Sequence, residues 1–526
     1  MELTTNTPKP IPRRIIVLTL GAALLTRLTV LASGAVSFHS DEAVVALMAR
    51  HIDAGGAIPT FFYGQPYMGS LDALLVALGF RLFGEGVAAI RIVQLALYLC
   101  IVLTTVLLAW RLTQREIIAA SAGLLLAFPP VVFTLYTSMT LGGYAETLLL
   151  GNLLLLLGWQ IIHAERPRTL DWIALGLLAG LGWWTNALIA VYCIPVGLLL
   201  LRHLHLRQVG FYALAILAFF IGGAPWWVYN LQHDWQALAW LLGTSQNNNG
   251  LTFTLPERAF GFLFIGLPAA LGVRYPWVEA AWSPIAAVFY VAGVFALLDA
   301  AWAALRQPNR RYLMLMVGGF AAVFVLSAFG SDITGRYLLP LVPIFAILYG
   351  MLLARLWDLR RELFYAALGG LLALQGAANL NAMAQPPGLT SQFDLVNHIP
   401  NDHDQALIDF LMANGGTRGF ATYWITFRIA FLSGERIILD AWLPNKESLI
   451  YTAVDRRYPP YTEAALAAEH PVYVTANVPA LDRILVEWFT ANAVTYRIQQ
   501  IGPYTVYYEL SRRVTPAELG VDRIGR

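Results

Sequence analysis

The chain has 526 residues, of which 58% are hydrophobic and 13% charged, with a formal net charge of +2. A water-soluble domain averages about 45–50% apolar and about 25% charged residues. Halving the charge removes the surface that keeps a globule in water, and so small a positive charge gives no reason to expect a nucleic-acid partner. The two cysteines, Cys100 and Cys193, lie in apolar runs and offer neither a disulfide framework nor a metal-type spacing.

The N-terminus carries Lys9, Arg13 and Arg14, followed by an apolar run to Val36. A signal-peptide core is only about 7–15 residues long, so this run is expected to be an uncleaved first span. A crossing helix needs about 20 apolar residues. On that measure the spans fall near 14–36, 87–110, 117–135, 142–163, 171–186, 188–201, 208–229, 283–305, 312–329, 336–355 and 362–381, about eleven in all. Arg111, Arg115, Arg166, Arg168, Arg202, Arg207, Arg306, Arg310, Arg311, Arg355, Arg360 and Arg361 then join the N-terminal cations on one side. Arg50, Arg81, Arg258, Arg274 and Arg336 are left on the other. The positive-inside rule makes the first side cytoplasmic. The pair 171–186 and 188–201 is short and is expected to join near Trp183-Trp184-Thr185-Asn186.

The first external loop, 37–86, opens with Ser37-Phe38-His39-Ser40-Asp41-Glu42 and an amphipathic helix to His51. It continues through Gly55-Gly56-Ala57-Ile58-Pro59 and Phe62-Tyr63-Gly64-Gln65-Pro66-Tyr67-Met68-Gly69-Ser70, then a short apolar segment, Leu71–Phe83, expected to lie in the interface. Adjacent acids at this place suit helix capping by Ser40 or Asp41 as well as chemistry. Two neighbouring carboxylates without a third acid make a poor magnesium site, so no metal and no cofactor is expected. A second long loop, 230–281, holds Arg274 and a flexible Asn247-Asn248-Asn249-Gly250 tip. Arg27 and Glu146 fall inside spans, where a charge is costly and is paired or functional; they are candidates to pair with each other, with Glu146 alternatively lining a cavity.

Past Ala384-Gln385-Pro386-Pro387-Gly388 charges return. Helical patterns at Asp404–Asn414, Tyr461–Glu469 and Ala480–Ala491 alternate with strand-like runs at Phe420–Trp424, Ile437–Asp440, Val472–Thr475 and Tyr504–Tyr508. The fold class expected is an α-helical polytopic membrane domain, 1–385, followed by a soluble α/β domain, 386–526, to which no chemistry is assigned.

The order of first span, Asp-Glu, amphipathic helix, Gly/Pro-rich loop, interfacial helix and a second span opening with Arg91 resembles the membrane-embedded GT-C glycosyltransferases. The nearest likeness is to the protein O-mannosyltransferase and aminoarabinose-transferase superfamily. Gly142-Gly143-Tyr144, Trp183-Trp184-Thr185-Asn186, Pro225-Trp226-Trp227-Val228-Tyr229-Asn230 and Gly335-Arg336-Tyr337-Leu338-Leu339-Pro340 add to the resemblance. It implies a polyprenyl-phosphate sugar donor as co-substrate and Asp41 as the base, with Glu42 beside it. The basic residue that the family sets in a Lys-Pro-Pro or His-Pro-Pro element is Gln65 here. Arg336 is the candidate for the donor phosphate, an arginine fork matching its oxygens, with Arg274 behind it. Tyr63, Tyr67, Gln65, Glu146 and Asn186 are candidates for substrate binding. The expected activity is sugar transfer with inversion to a glycan, lipid or protein acceptor on the external face of a plasma (inner) membrane. The N-terminus is expected in the cytoplasm and the C-terminal domain outside, in a periplasm where there is one. A transporter or lipid flippase, which would show repeated and broken spans, and a non-catalytic envelope assembly subunit are the rival readings.

Overall fold

The computed structural model describes residues 10–202, 209–242, 254–277, 284–306, 311–327, 332, 334–392, 398–446 and 448–521. The 247–250 tip, Lys9, Arg207 and Arg310 lie outside the described residues. The chain divides into two compact units: Met1–Val36, Tyr67–Leu71 and Arg91–Pro386 form the first, and Ser37–Pro66, Asp72–Ile90 and Pro387–Arg526 the second.

The first unit is helical. Among the described residues six helices are long and apolar enough to cross a membrane: Arg13–Ala32, Val87–Thr113, Tyr144–His163, Pro284–Leu305, Leu341–Leu359 and Arg361–Ala384. The pair Val209–Gly222 and Ala224–Gln232, bent by 66°, is a seventh if it counts as one span. The other expected spans are shorter or broken; the one at 312–329 is the helix Arg311–Leu326, with 328–329 outside the described residues. Region 117–135 is two helices, Glu116–Ala127 and Val131–Tyr136. Pro129 and Pro130 interrupt them, because proline has no N–H to donate and pushes the preceding Phe128 out of the helical region. Helix Thr169–Thr185 stops at Asn186, whose backbone is extended and whose carboxamide oxygen accepts the N–H of Leu188 at 3.0 Å. That side chain competes with the helix for its own backbone. The chain restarts as the 3₁₀ turn Ala187–Ile189 and the helix Ala190–Arg202. At 336–355 the first residues form another 3₁₀ turn, Arg336–Leu338, and the helix begins only at Leu341.

Small residues let these helices approach backbone to backbone. A Cβ on Gly176 would lie 2.1 Å from the carbonyl oxygen of Ala215, and one on Gly180 would lie 2.1 Å from that of Phe219. Helices Thr169–Thr185 and Val209–Gly222 therefore pack as closely as main chains allow. At one end of the unit Arg14 pairs with Glu116 at 2.5 Å, Arg115 with Asp358 at 2.7 Å and Arg355 with Asp299 at 2.5 Å. Exposed pairs are worth about 0–1 kcal/mol each, so they gather helix ends carrying predicted inner-face cations rather than hold the fold. The buried Arg27 does not meet Glu146. Its guanidinium donates to the carbonyl of Thr134 at 2.8 Å, to the hydroxyl of Thr137 at 2.9 Å and to Ser138, and lies 3.9 Å from the centroid of the Tyr98 ring. The bundle satisfies this cation with neutral acceptors and a π face.

The second unit is built on five strands: β1 (Arg418–Thr422), β2 (Ile438–Leu443), β3 (Val472–Ala476), β4 (Arg497–Ile501) and β5 (Tyr504–Tyr508), in the order β2-β1-β3-β5-β4. β2, β1 and β3 are parallel, while β5 and β4 run antiparallel. Buried side chains cover both faces, Phe420, Tyr473 and Phe489 on one and Ala421, Val474 and Val506 on the other. β4 has no buried residue, so it lacks the apolar alternation that marks a strand in sequence. The strand expected at Phe420–Trp424 ends at Thr422, where helix Tyr423–Leu432 begins. From β1 the chain passes to β2 on one side and later to β3 on the other. The carboxyl end of β1 is therefore a topological switch point, the place where open α/β sheets bind ligands.

The helix Ser40–Asp53 belongs to this unit and is buried through Ala43–Ala49. Replacing Gly180 by leucine overpacks the contact with Phe219. Thermal unfolding in detergent is expected to show a loss of about 1–3 kcal/mol, whereas leucine at Gly197, which has open space around its Cβ position, leaves the transition close to wild type.

Candidate functional site

Asp41 stands in the first turn of helix Ser40–Asp53 and is partly exposed, while Glu42 next to it is buried. Neither Ser40 nor Asp41 caps the helix. The N-cap is His39, in extended backbone and without a side-chain cap, because Ser40 is turned to the carbonyl of Tyr423 at 2.6 Å. Further bonds fasten the loop to distant residues of its unit. Asn401 donates to the carbonyl of Phe38 at 2.7 Å and accepts its N–H at 3.1 Å, Ser37 N–H reaches the carbonyl of Leu389 at 3.1 Å, and Ser391 meets His39 Nε2 at 2.8 Å.

These ties bring Asp41 to the switch point of the sheet. The hydroxyl of Tyr423, the residue following β1, donates to Asp41 Oδ1 at 2.5 Å. Tyr423 is buried, and burial first, then the charge of Asp41 and its hydrogen bond, push its phenol well up while Arg457 pulls it down. Arg457 lies with its Cζ 5.0 Å from the centroid of the Tyr423 ring and 5.4 Å from that of Phe62. Asp455 has its carboxyl pushed up to about 6 by burial and by Asp41, against the charges of Arg457 and Lys446. Gly64 is required here: its φ is +71°, and a Cβ would come within 2.9 Å of the Arg457 Cα.

Tyr63 joins a neighbouring network in the same unit. It stacks on Tyr458, centroids 4.5 Å apart, and its hydroxyl lies 2.9 Å from His51 Nδ1. His51 Nε2 is 3.1 Å from Glu435, which also takes the hydroxyl of Tyr461 at 2.7 Å and has Arg50 at 3.5 Å. Burial alone would raise the Glu435 carboxyl, but the bonds from His51 and Tyr461 and the charges of His51 and Arg50 bring it down to about 2. Gln65 also belongs to this unit, its N–H on the carbonyl of Phe62 at 3.0 Å.

The first unit gathers the other predicted residues. Gly69 N–H bonds the carbonyl of Thr185 at 2.9 Å, Met68 bridges Asn186, and Asn186 donates to the carbonyl of Gly142 at 3.4 Å. Three separated motif pieces thus meet. Tyr67 stacks on Trp240 at 5.6 Å, and Glu146 is buried in the first turn of Tyr144–His163. Arg336 pairs with Asp332 at 3.4 Å and lies 5.0 Å from the Tyr337 ring, within electrostatic reach of Tyr136 and Tyr144. Arg274 donates to the carbonyl of Trp277 at 3.2 Å and also feels Asp332.

Sequence reasoning missed Tyr423, Asp455 and Arg457, having assigned the C-terminal domain no chemistry. The signal was the run Asp455-Arg456-Arg457-Tyr458-Pro459-Pro460, charges and aromatics on a proline-bounded loop of the kind that carries function. No group of three or more His, Cys, Asp or Glu is placed to hold a metal ion among the described residues.

The depressed Glu435 carboxyl makes stability depend on pH. Its contribution is present above the ordinary value of 4.5 and is lost as pH falls from there towards 2. Glu435→Gln is expected to cost about 1–2 kcal/mol at pH 7, allowing for partial exposure, and to flatten the acid limb of stability in pH-dependent unfolding curves.

Residues 68–229 match the family model described as Dolichyl-phosphate-mannose-protein mannosyltransferase. The match begins after Asp41 and includes Glu146 and Asn186. The Undecaprenyl phosphate-alpha-4-amino-4-deoxy-L-arabinose arabinosyl transferase of Pseudomonas aeruginosa (strain LESB58) is 31% identical over 270 residues, 47% of this chain and 48% of that protein. Its counterpart in strain UCBPP-PA14 is 33% identical over 199 residues, 35% of each chain. The matched stretch thus spans half or less of these relatives' length. Two crystal structures of ArnT from Cupriavidus metallidurans, each 14% identical, align over 94% of this chain and 97% of theirs. Their TM-scores are 0.58 in the apo state and 0.55 bound to undecaprenyl phosphate. The protein is a multi-pass membrane protein with the fold of ArnT, and it resembles the GT-C glycosyltransferases of the protein O-mannosyltransferase and aminoarabinose-transferase superfamily.

Proposed function

We propose that the chain is a glycosyltransferase that moves a sugar from a polyprenyl-phosphate donor to an acceptor hydroxyl on the external face of the plasma membrane. The observation that carries this reading is Asp41, a partly exposed carboxylate aimed by the Tyr423 hydroxyl at the switch point of an α/β sheet. A carboxylate held in this way suits a general base. The arabinosyl transferases named above and the ArnT structure bound to undecaprenyl phosphate support the class of donor. An apolar cavity of about 240 Å³ in the first unit, lined by Leu125, Leu126, Phe289, Val342, Phe345 and Leu371, is suited to part of a prenyl tail.

In the reaction the acceptor oxygen attacks the anomeric carbon of the donor sugar while the bond from that carbon to the phosphate oxygen breaks. The bonding pair leaves with the polyprenyl phosphate, and the hydroxyl proton passes to Asp41. A single displacement inverts the anomeric centre. Negative charge grows on the phosphate, so a cation aimed at it lowers the barrier. Arg336 fills that role in this reading, with Arg274 adding the charge that Asp332 offsets. Glu42, buried beside the base, braces its turn, and the lipid-linked sugar is a co-substrate, with no cofactor required. The acceptor is a glycan, lipid or protein hydroxyl.

The test is transfer by the purified protein from a panel of polyprenyl-phosphate sugars. Asp41→Asn is expected to lower turnover by about 100-fold or more with donor binding retained. Full turnover by that variant would remove Asp41 as the base.

A further inference from the structure

The carboxylate assigned as base is surrounded by groups from the far end of the sequence. Tyr423 donates its hydroxyl to Asp41 Oδ1 at 2.5 Å. Arg457 is fixed over the ring of that same tyrosine, with Phe62 beside it and Gly64 against its Cα. Asp455, two residues earlier, closes the 3₁₀ turn Ala453–Asp455, and its carboxylate has Asn445 at 3.4 Å. Arg456, between them, is turned away to Asp440 at 3.0 Å and the Trp442 ring at 3.6 Å. The loop therefore sends alternate side chains to different places: Arg457 to the Tyr423 ring, and Asp455 within electrostatic reach of Asp41. Of the other charged groups near this helix, Arg428 on the Tyr423 helix is bound to Asp404 at 3.0 Å, Arg50 and His51 are engaged with Glu435, and His39 meets Ser391. Glu42 follows Asp41 on its own turn, and Lys446 acts on Asp455.

We propose that Tyr423, Asp455 and Arg457 of the sheet domain are positioning residues for Asp41: Tyr423 aims the carboxylate, Arg457 sets a cation over the Tyr423 ring, and Asp455 sets a second carboxylate within electrostatic reach of both. The proposal rests on the reading of Asp41 as base and adds to it a task for the domain appended to the membrane helices.

The test uses opposite signs. Removing a nearby cation makes a carboxylate easier to protonate, and removing a nearby anion makes it harder. In Arg457→Gln the acid limb of the pH–rate profile for sugar transfer is expected to move up by about one pH unit, in Asp455→Asn it moves down, and Arg457→Lys restores much of the wild-type profile. Tyr423→Phe lowers turnover with donor KM little changed. The same shifts are expected without any substrate in the pH dependence of carbodiimide labelling at Asp41, a reaction of the protonated carboxyl, followed by peptide mass spectrometry on folded full-length protein. Labelling midpoints that move in opposite directions support the proposal even where no sugar is transferred, an outcome that sinks only the catalytic reading. Midpoints that stay put, or move the same way in both variants, overturn it.

Discussion

A helix with seven successive residues buried, as in Ala43–Ala49, cannot be an appendage of a membrane loop. Its burial inside the α/β unit is the constraint from which the candidate site follows. Once the helix is enclosed, its first turn is fixed relative to the carboxyl end of β1, and Asp41 has a defined neighbour in Tyr423. The polar ties to residues between 389 and 423 hold the backbone of Ser37 and Phe38, just before the helix, and the side chains of His39 and Ser40. The apolar burial supplies the driving force, and these bonds set the register.

The electrostatics around Asp41 depend on that enclosure. Charges on an open surface are screened by water, whereas partly buried ones are not. The raised Asp455 carboxyl and the lowered Glu435 carboxyl lie in one unit and differ because of their partners. Burial prevails at Asp455 over the charges of Arg457 and Lys446, while at Glu435 direct bonds from His51 and Tyr461 overcome it. Two acids of similar intrinsic strength are thus pushed in opposite directions by their partners.

Much of the membrane unit was legible in the sequence because lipid imposes a length and an apolar composition that can be counted. The breaks were only partly legible. The join near Asn186 was expected from the two short runs on either side of it, whereas the interruption at Pro129-Pro130 fell inside one expected span, 117–135. In the sheet unit the strands with two buried faces were visible, and β4, exposed but for the partly buried Ile501, was not. The acid pair was singled out from its place after the first span, and the fold sets Asp41 against Tyr423. Tyr423, Asp455 and Arg457 were not, because nothing local ties them to position 41; only the tertiary fold does. Arg27 was recognised as costly but matched with the wrong partner, since periodicity cannot tell a neutral acceptor on a neighbouring helix from an acid.

The bond from Tyr423 to Asp41 joins positions 382 residues apart. During synthesis the first span and its loop emerge early, and the residue that aims the carboxylate leaves the ribosome only after every membrane helix has been made. Until then Asp41 lacks its hydroxyl partner and β1 lacks the chain that completes its sheet. A contact of such long separation forms late in folding, so a nascent or truncated chain holds its acid without the frame around it. Assembly of the candidate site thereby waits on synthesis of the sheet strands, by chain order alone.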